Sequence, residues 1–212
     1  MFSKLKLAQS VIGIGSFLLL SSCSPQATQP PTEPPKVSEW TVSDAAAPKL
    51  TETFDSSRFT PALAFKMPKG FPVDVKEAAN RKFDIFYGPR RKDKTRAVFM
   101  LNVVSTKLGA TSGSKSYTLP ESMELVLKAQ KEGRTQHWTS SPLESGSIGG
   151  QTWMRCYWSG DEPGTKESMH GFLYGTLQGE DFVEFAAQDM AKYDKEALPL
   201  LEEAVHTVKF AK

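Results

Sequence analysis

The sequence predicts an α+β fold: an antiparallel β-sheet covered by helices on both faces. Three observations carry this expectation. Arg96–Ser105 places Ala97, Phe99, Leu101 and Val103 on one side of a strand and Val98, Met100 and Val104 on the other, as a central strand covered twice would. Gln151–Ser159, Lys166–Leu177 and Asp181–Gln188 alternate in character between turn signals at Gly149-Gly150, Pro163-Gly164 and Gly179, the pattern of consecutive antiparallel strands. Two amphipathic stretches, one after Thr118 and one running to Val208, supply the covering helices.

The chain opens on Lys4 and Lys6, followed by an apolar run from Val11 to Leu20 and small residues before Cys23. A basic start, a short apolar core and small residues make a secretory signal, and the core is too short to span a bilayer. Leu20-Ser21-Ser22-Cys23 resembles the lipobox of bacterial lipoproteins, with Cys23 in the position that those proteins acylate. The resemblance implies cleavage before Cys23, lipid on its thiol, and a tether to an extracytoplasmic membrane surface. Ser24 resembles the residue of lipoproteins sent to the outer membrane of two-membrane cells.

Residues 1–22 are therefore read as a signal peptide, 23–58 as the lipidated Cys with a Pro-rich linker, and 59–212 as one globular domain. In the linker, Pro25, Pro30, Pro31, Pro34 and Pro35 stand among Ser, Thr, Gln and Glu. Such composition buries too little apolar surface to offset its ordering entropy, so a disordered stalk is expected. Trp40 and Phe54 are the exceptions, candidates to dock onto the domain. Without Lys4 and Lys6 the chain has 24 basic against 24 acidic residues, which argues against a general nucleic-acid binder. With Cys23 lipidated, Cys156 is left without an intramolecular disulfide partner.

Within the domain, Leu63, Phe65 and Met67 alternate along a first strand that ends at Pro68-Lys69-Gly70. Phe83, Ile85 and Tyr87 mark a second, stopped by Gly88-Pro89, and Arg96–Ser105 is the third. Thr118-Leu119-Pro120-Glu121 reads as a capping box, and Leu119, Met123, Val126 and Leu127 follow at helical spacing up to Gly133. Leu198, Leu201, Val205 and Val208 mark the closing helix, which either starts near Leu198 or bends at Pro199.

This order resembles the PsbP-like fold, the α/β/α sandwich of the extrinsic photosystem protein PsbP and its bacterial relatives. The likeness rests on Leu63–Gly70, the strand Arg96–Ser105 before the helix Leu119–Gly133, and the Ile148-Gly149-Gly150 turn. It extends to the hairpin at Pro163-Gly164 and the close at Val208-Lys209-Phe210. It implies a domain that acts by binding or assembling other proteins, and it carries over no photosystem or metal contacts.

The chemistry-bearing motifs are few. Gly109-Ala110-Thr111-Ser112-Gly113-Ser114-Lys115-Ser116 mimics a phosphate-binding loop, but Ser114 stands where that loop needs Gly. His137, His170 and His206 have no metal-ligand spacing, and no cofactor or metal site is expected. Cys156 falls between Met154 and Trp158 on an apolar face, which favours a buried structural thiol. With no activated nucleophile in view, an enzyme is unsupported. The local charge feature is Arg90, Arg91, Lys92, Lys94 and Arg96, at the turn between the second and third strands. It is either a contact for an acidic protein, lipid headgroups or an anionic envelope polymer, or, as sequence alone favours, a solvated hairpin tip. The leading expectation is a lipoprotein whose domain binds a protein or envelope component. The alternative is a lipoprotein enzyme or small-ligand carrier with a cleft between sheet and helix.

Overall fold

The computed structural model describes residues 37–211, apart from residues 79–80, 106–115 and 135. The signal peptide, Cys23 and the first part of the linker lie outside the described residues, as does most of the phosphate-loop mimic. The elements run β1 (Ser38–Glu39), a single turn of 3₁₀ helix (Ala47–Lys49), β2 (Leu50–Ser56), β3 (Leu63–Pro68), β4 (Val73–Ala78), β5 (Arg81–Tyr87) and β6 (Val98–Ser105). Then come α1 (Leu119–Glu132), β7 (Thr139–Ser140), β8 (Glu144–Ile148), β9 (Gln151–Asp161), β10 (Ser168–Gln178), β11 (Asp181–Met190), α2 (Asp194–Val205) and β12 (Lys209–Phe210).

The main sheet has the order β1-β8-β9-β10-β11-β6-β5-β4, with β7 added on β9. It is antiparallel except at β1, which pairs with β8 in parallel, so the sheet is mixed. A smaller sheet, β12-β3-β2, packs beside it. The long hairpins β9–β10 and β10–β11 form as the alternation predicts, because each strand buries one side chain set on each face.

Those two sets build two cores. On one face Phe99, Phe185, Trp153 and Tyr174 pack with Leu201, Ala204 and Val205 of α2 and with Leu63, Phe65 and Met67 of β3. The Phe65 ring sits 5.2 Å from Phe185 and 5.6 Å from Phe86 in edge-on arrangements, the geometry aromatic quadrupoles prefer. On the other face Met154, Cys156, Trp158, Leu173 and Phe182 pack with Met123 of α1.

The expected sandwich, helices over both faces, is corrected by this arrangement. The protein is predominantly β, with two α-helices among the described residues. One face is covered by the β12-β3-β2 sheet together with α2, whereas α1 packs chiefly on β9 and β10 of the opposite face. The reason lies in β2, which reads as linker in the sequence. Its Leu-Thr-Glu-Thr-Phe-Asp-Ser is polar at most positions because it is an edge strand, buried fully only at Leu50 and Ser56. Phe54 nevertheless docks on Phe65 and Phe86, at 5.2 and 4.7 Å between centroids. The folded unit thus includes residues 37–58, and Trp40 also packs on it.

The capping box at α1 forms as read: Thr118 accepts from the Glu121 backbone N–H, and Glu121 accepts from the Thr118 N–H at 2.9 Å. Helix α2 starts at Asp194, four residues before Leu198, and carries Pro199 inside it. Pro199 lacks the N–H that would reach the Lys195 carbonyl.

Candidate functional site

The basic cluster lies on the β5–β6 hairpin, and its five side chains do not behave alike. Arg91 turns onto the domain. Its two terminal nitrogens donate to the two carboxylate oxygens of Asp189, each at 2.7 Å, and Asp189 is fully buried. The guanidinium also lies 4.3 Å over the Tyr193 ring and 3.5 Å from Glu196. These carboxylates hold the Arg91 proton more tightly than usual. Arg91 is therefore an anchor of the loop, not a surface charge.

The loop around it is fixed from a second side. Asp93 accepts from the Thr95 hydroxyl at 2.7 Å and its backbone N–H at 3.1 Å, and receives Lys192 at 3.0 Å and the Tyr193 hydroxyl at 3.1 Å. Those bonds hold its carboxyl well below the usual carboxylate range. The turn closes with the Lys94 N–H on the Arg91 carbonyl at 2.9 Å, Lys94 adopting φ +69°. What remains outward is Arg90, Lys92, Lys94 and Arg96, all exposed. Arg96 lies 4.0 Å over Tyr87, and Arg90, Lys92 and Lys94 make no ion pair among the described residues.

A second candidate region opens between β9, β10 and α2, a cleft of about 480 Å³. Asp194, Leu198 and Glu202 recur every four residues, so one stripe of α2 faces it. Glu202 is the hub of its polar floor. Its Oε1 accepts from the Tyr174 hydroxyl at 2.7 Å, from Arg155 at 3.3 Å, and from the Tyr157 hydroxyl. Arg155 also donates to Glu144 at 2.9 Å and lies 4.4 Å from the Trp40 ring, which seals the network from the N-terminal side. Burial, together with Glu202, pushes both tyrosine hydroxyls well above their ordinary range, so they stay protonated and donate. At the other end of the cleft His170 Nδ1 meets Asp194 at 2.6 Å. Ser159 lies directly across from His170 in the β9–β10 register, but its hydroxyl pairs with Thr139 at 2.7 Å. No hydrogen bond joins Ser159 to His170 among the described residues, so the three do not form a nucleophile relay.

The remaining sequence candidates resolve into structural roles. His137 pairs with Asp161 at 2.7 Å, and His206 sits behind Tyr174 at 3.2 Å with burial lowering its pKa. Cys156 is fully buried, its thiol pushed up to about 11 by desolvation. Trp153 is buried, its ring 6.0 Å from Phe185 and 6.2 Å from Phe210, while Tyr157 is exposed and reaches Glu202. Among the described residues no group of His, Cys, Asp or Glu side chains is arranged to hold a metal ion. Sequence reading missed Glu202, whose partners lie 28 to 47 residues away; the signal available was its four-residue spacing from Asp194 and Leu198.

Neither a protein-family model nor any curated protein matches the chain. Among solved structures it is similar to the cyanobacterial PsbP, CyanoP, of Synechocystis sp. PCC 6803, at 11% identity and TM-score 0.52, over 76% of this chain and 92% of that one. A Pseudomonas aeruginosa protein of unknown function, PA94, is similar at 11% identity and TM-score 0.45, over 68% of this chain and 88% of that one. A Bacteroides thetaiotaomicron protein follows at 14% identity and TM-score 0.43, over 71% of this chain and 45% of that one. At such identities the likeness concerns fold alone, and the fold is PsbP-like.

Proposed function

We propose that the chain is an extracytoplasmic lipoprotein, anchored through lipid on Cys23, whose PsbP-like domain binds an acidic protein or an anionic component of the cell envelope. The anchor rests on the order of Lys4, Lys6, the Val11–Leu20 run and Leu20-Ser21-Ser22-Cys23. Among the described residues no helix is long and apolar enough to cross a membrane. In a two-membrane cell, Ser24 favours the outer membrane.

The observation that carries the binding role is the pre-organised hairpin. Arg91 clamped on Asp189, and Asp93 tied to Thr95, Lys192 and Tyr193, present Arg90, Lys92, Lys94 and Arg96 outward on a loop whose backbone is already fixed. A rigid cationic surface loses less entropy on binding than a solvated floppy one. Near an anionic surface each such residue contributes up to ~1 kcal/mol, falling with salt.

The test is crosslinking capture from the native envelope, with the wild type beside Arg90→Glu/Lys92→Glu/Lys94→Glu. The expected result is a partner recovered by the wild type at low salt, lost at high salt, and lost in the triple variant with unchanged melting. Equal recovery by both proteins would refute the hairpin as the contact.

A further inference from the structure

The cleft between β9, β10 and α2 shares no lining residue with the basic hairpin, and its volume of about 480 Å³ falls in the range of small-molecule sites, about 300–1,000 Å³. We infer that it binds a neutral carbohydrate, one or two sugar units of a glycan. This reading stands apart from the hairpin contact and from the anchor.

The argument is an inventory of unused hydrogen-bonding capacity. Glu202 takes three donors on Oε1, and its Oε2 has no partner among the described residues. Asp194 holds His170 through Oδ2, leaving Oδ1, and the bond at Nδ1 leaves His170 Nε2 for a ligand. The Tyr157 oxygen donates its proton to Glu202 and keeps its lone pairs. Thr139 and Ser159 share one hydrogen bond between two hydroxyls, so one O–H donor is left over. Even with the Lys195 ammonium and the Ser140 hydroxyl counted as donors, the open lone pairs of Glu202, Asp194, His170, Tyr157, Thr139 and Ser159 outnumber the donors, and a ligand that satisfies them must bring several O–H groups.

Charge selects among ligands that do. Glu202 is already paired with Arg155, Asp194 is hydrogen-bonded to His170 Nδ1, and Lys195 adds a cation to the lining. Neither carboxylate is left without a partner to hold a cationic amine, and Asp194 and Glu202 beside Lys195 give the lining no net positive charge to attract an anion. The remaining lining is apolar: Phe172, Leu198 and Pro199. Hydroxyl donors at the edges and aliphatic C–H faces between them are what a neutral sugar ring presents.

The experiment is a titration of the ¹⁵N-labelled full-length chain in detergent, followed by amide chemical shifts. The probes are two neutral trisaccharides, of N-acetylglucosamine and of glucose, with a galacturonic acid trimer and spermidine as charged counterparts. The expected result is saturable shifts at Tyr157, Ser159, His170 and Phe172 with at least one neutral trisaccharide and none with the charged probes. Glu202→Gln and Ser159→Ala should each weaken binding by up to roughly tenfold, the loss of one hydrogen-bonding partner, while Lys128→Ala, exposed on α1 away from the cleft, leaves saccharide binding unchanged. Should Glu202→Gln unfold, Asp194→Asn at the start of α2 takes its place. Shifts confined to residues outside the cleft, a response to spermidine or the anionic trimer alone, or no response to either neutral sugar would overturn the assignment.

Discussion

Replacing Arg91 should cost far more stability than replacing any of its basic neighbours. In Arg91→Ala the carboxylate of Asp189, fully buried, loses both guanidinium bonds at 2.7 Å and keeps, among the described residues, the Met190 backbone N–H at 2.9 Å. Removing one partner of a buried pair costs about 3–5 kcal/mol, and the surviving bond places this site near 3. At about 2–4 °C per kcal/mol for a chain of this size, the melting midpoint should fall by about 6–12 °C. Arg91→Lys retains a charge but not the planar fork, so it should lose one charged hydrogen bond, about 1.5–3 kcal/mol. Lys92→Ala, exposed and unpaired among the described residues, should stay within about 0.5 kcal/mol of wild type. Urea unfolding followed by circular dichroism ranks the three. If Arg91→Ala and Lys92→Ala unfold together, Arg91 is a surface charge and the account of a clamped hairpin fails.

Other outcomes follow from the same structure. Cys156 should resist iodoacetamide in the folded protein at pH 8 and react once urea unfolds it; prompt native labelling would contradict its burial. Because folding raises that thiol from an ordinary 9.0 to about 11, its contribution to stability is complete below pH 9 and declines as pH rises towards 11, which Cys156→Ala should abolish. His206 behaves oppositely: its folded pKa is lowered from 6.5, so its contribution is present above that pH and is lost on acidification, detectable as a shallower acid limb in His206→Gln. Thr118→Ala removes the α1 cap and should cost about 1 kcal/mol in urea titrations, with Thr118→Ser close to wild type. Gly146→Ala places a methyl group inside the Trp40 ring, so tryptophan emission should shift to the red as Trp40 is expelled.

How far the sequence discloses this molecule depends on where the partners of each segment lie. Strands β9, β10 and β11 are legible because alternation and their turns are local properties, and α1 is legible because its cap is written in four consecutive residues. The opposite holds for β2, whose Thr, Glu and Asp reflect an edge position and whose reason to be a strand is β3. That omission is also why two helices were expected to do the covering that a second sheet and α2 share. The basic hairpin was visible as a run of charge, yet its division into one clamp and four outward cations depends on Asp189, some 98 residues from Arg91. The cleft was least legible: Glu202 is one glutamate among several until Tyr157, Tyr174 and Arg155 converge on it.

The anchor is the claim on which the proposed setting depends, and intact mass tests it directly. Protein extracted from membranes of its native host, wild type beside Cys23→Ala, should differ in start point and in lipid. The account predicts a wild-type chain that begins at Cys23 and carries acyl mass, with both features lost in the variant. An unmodified wild-type chain, or one cut elsewhere, would contradict it and remove the tether from the proposal.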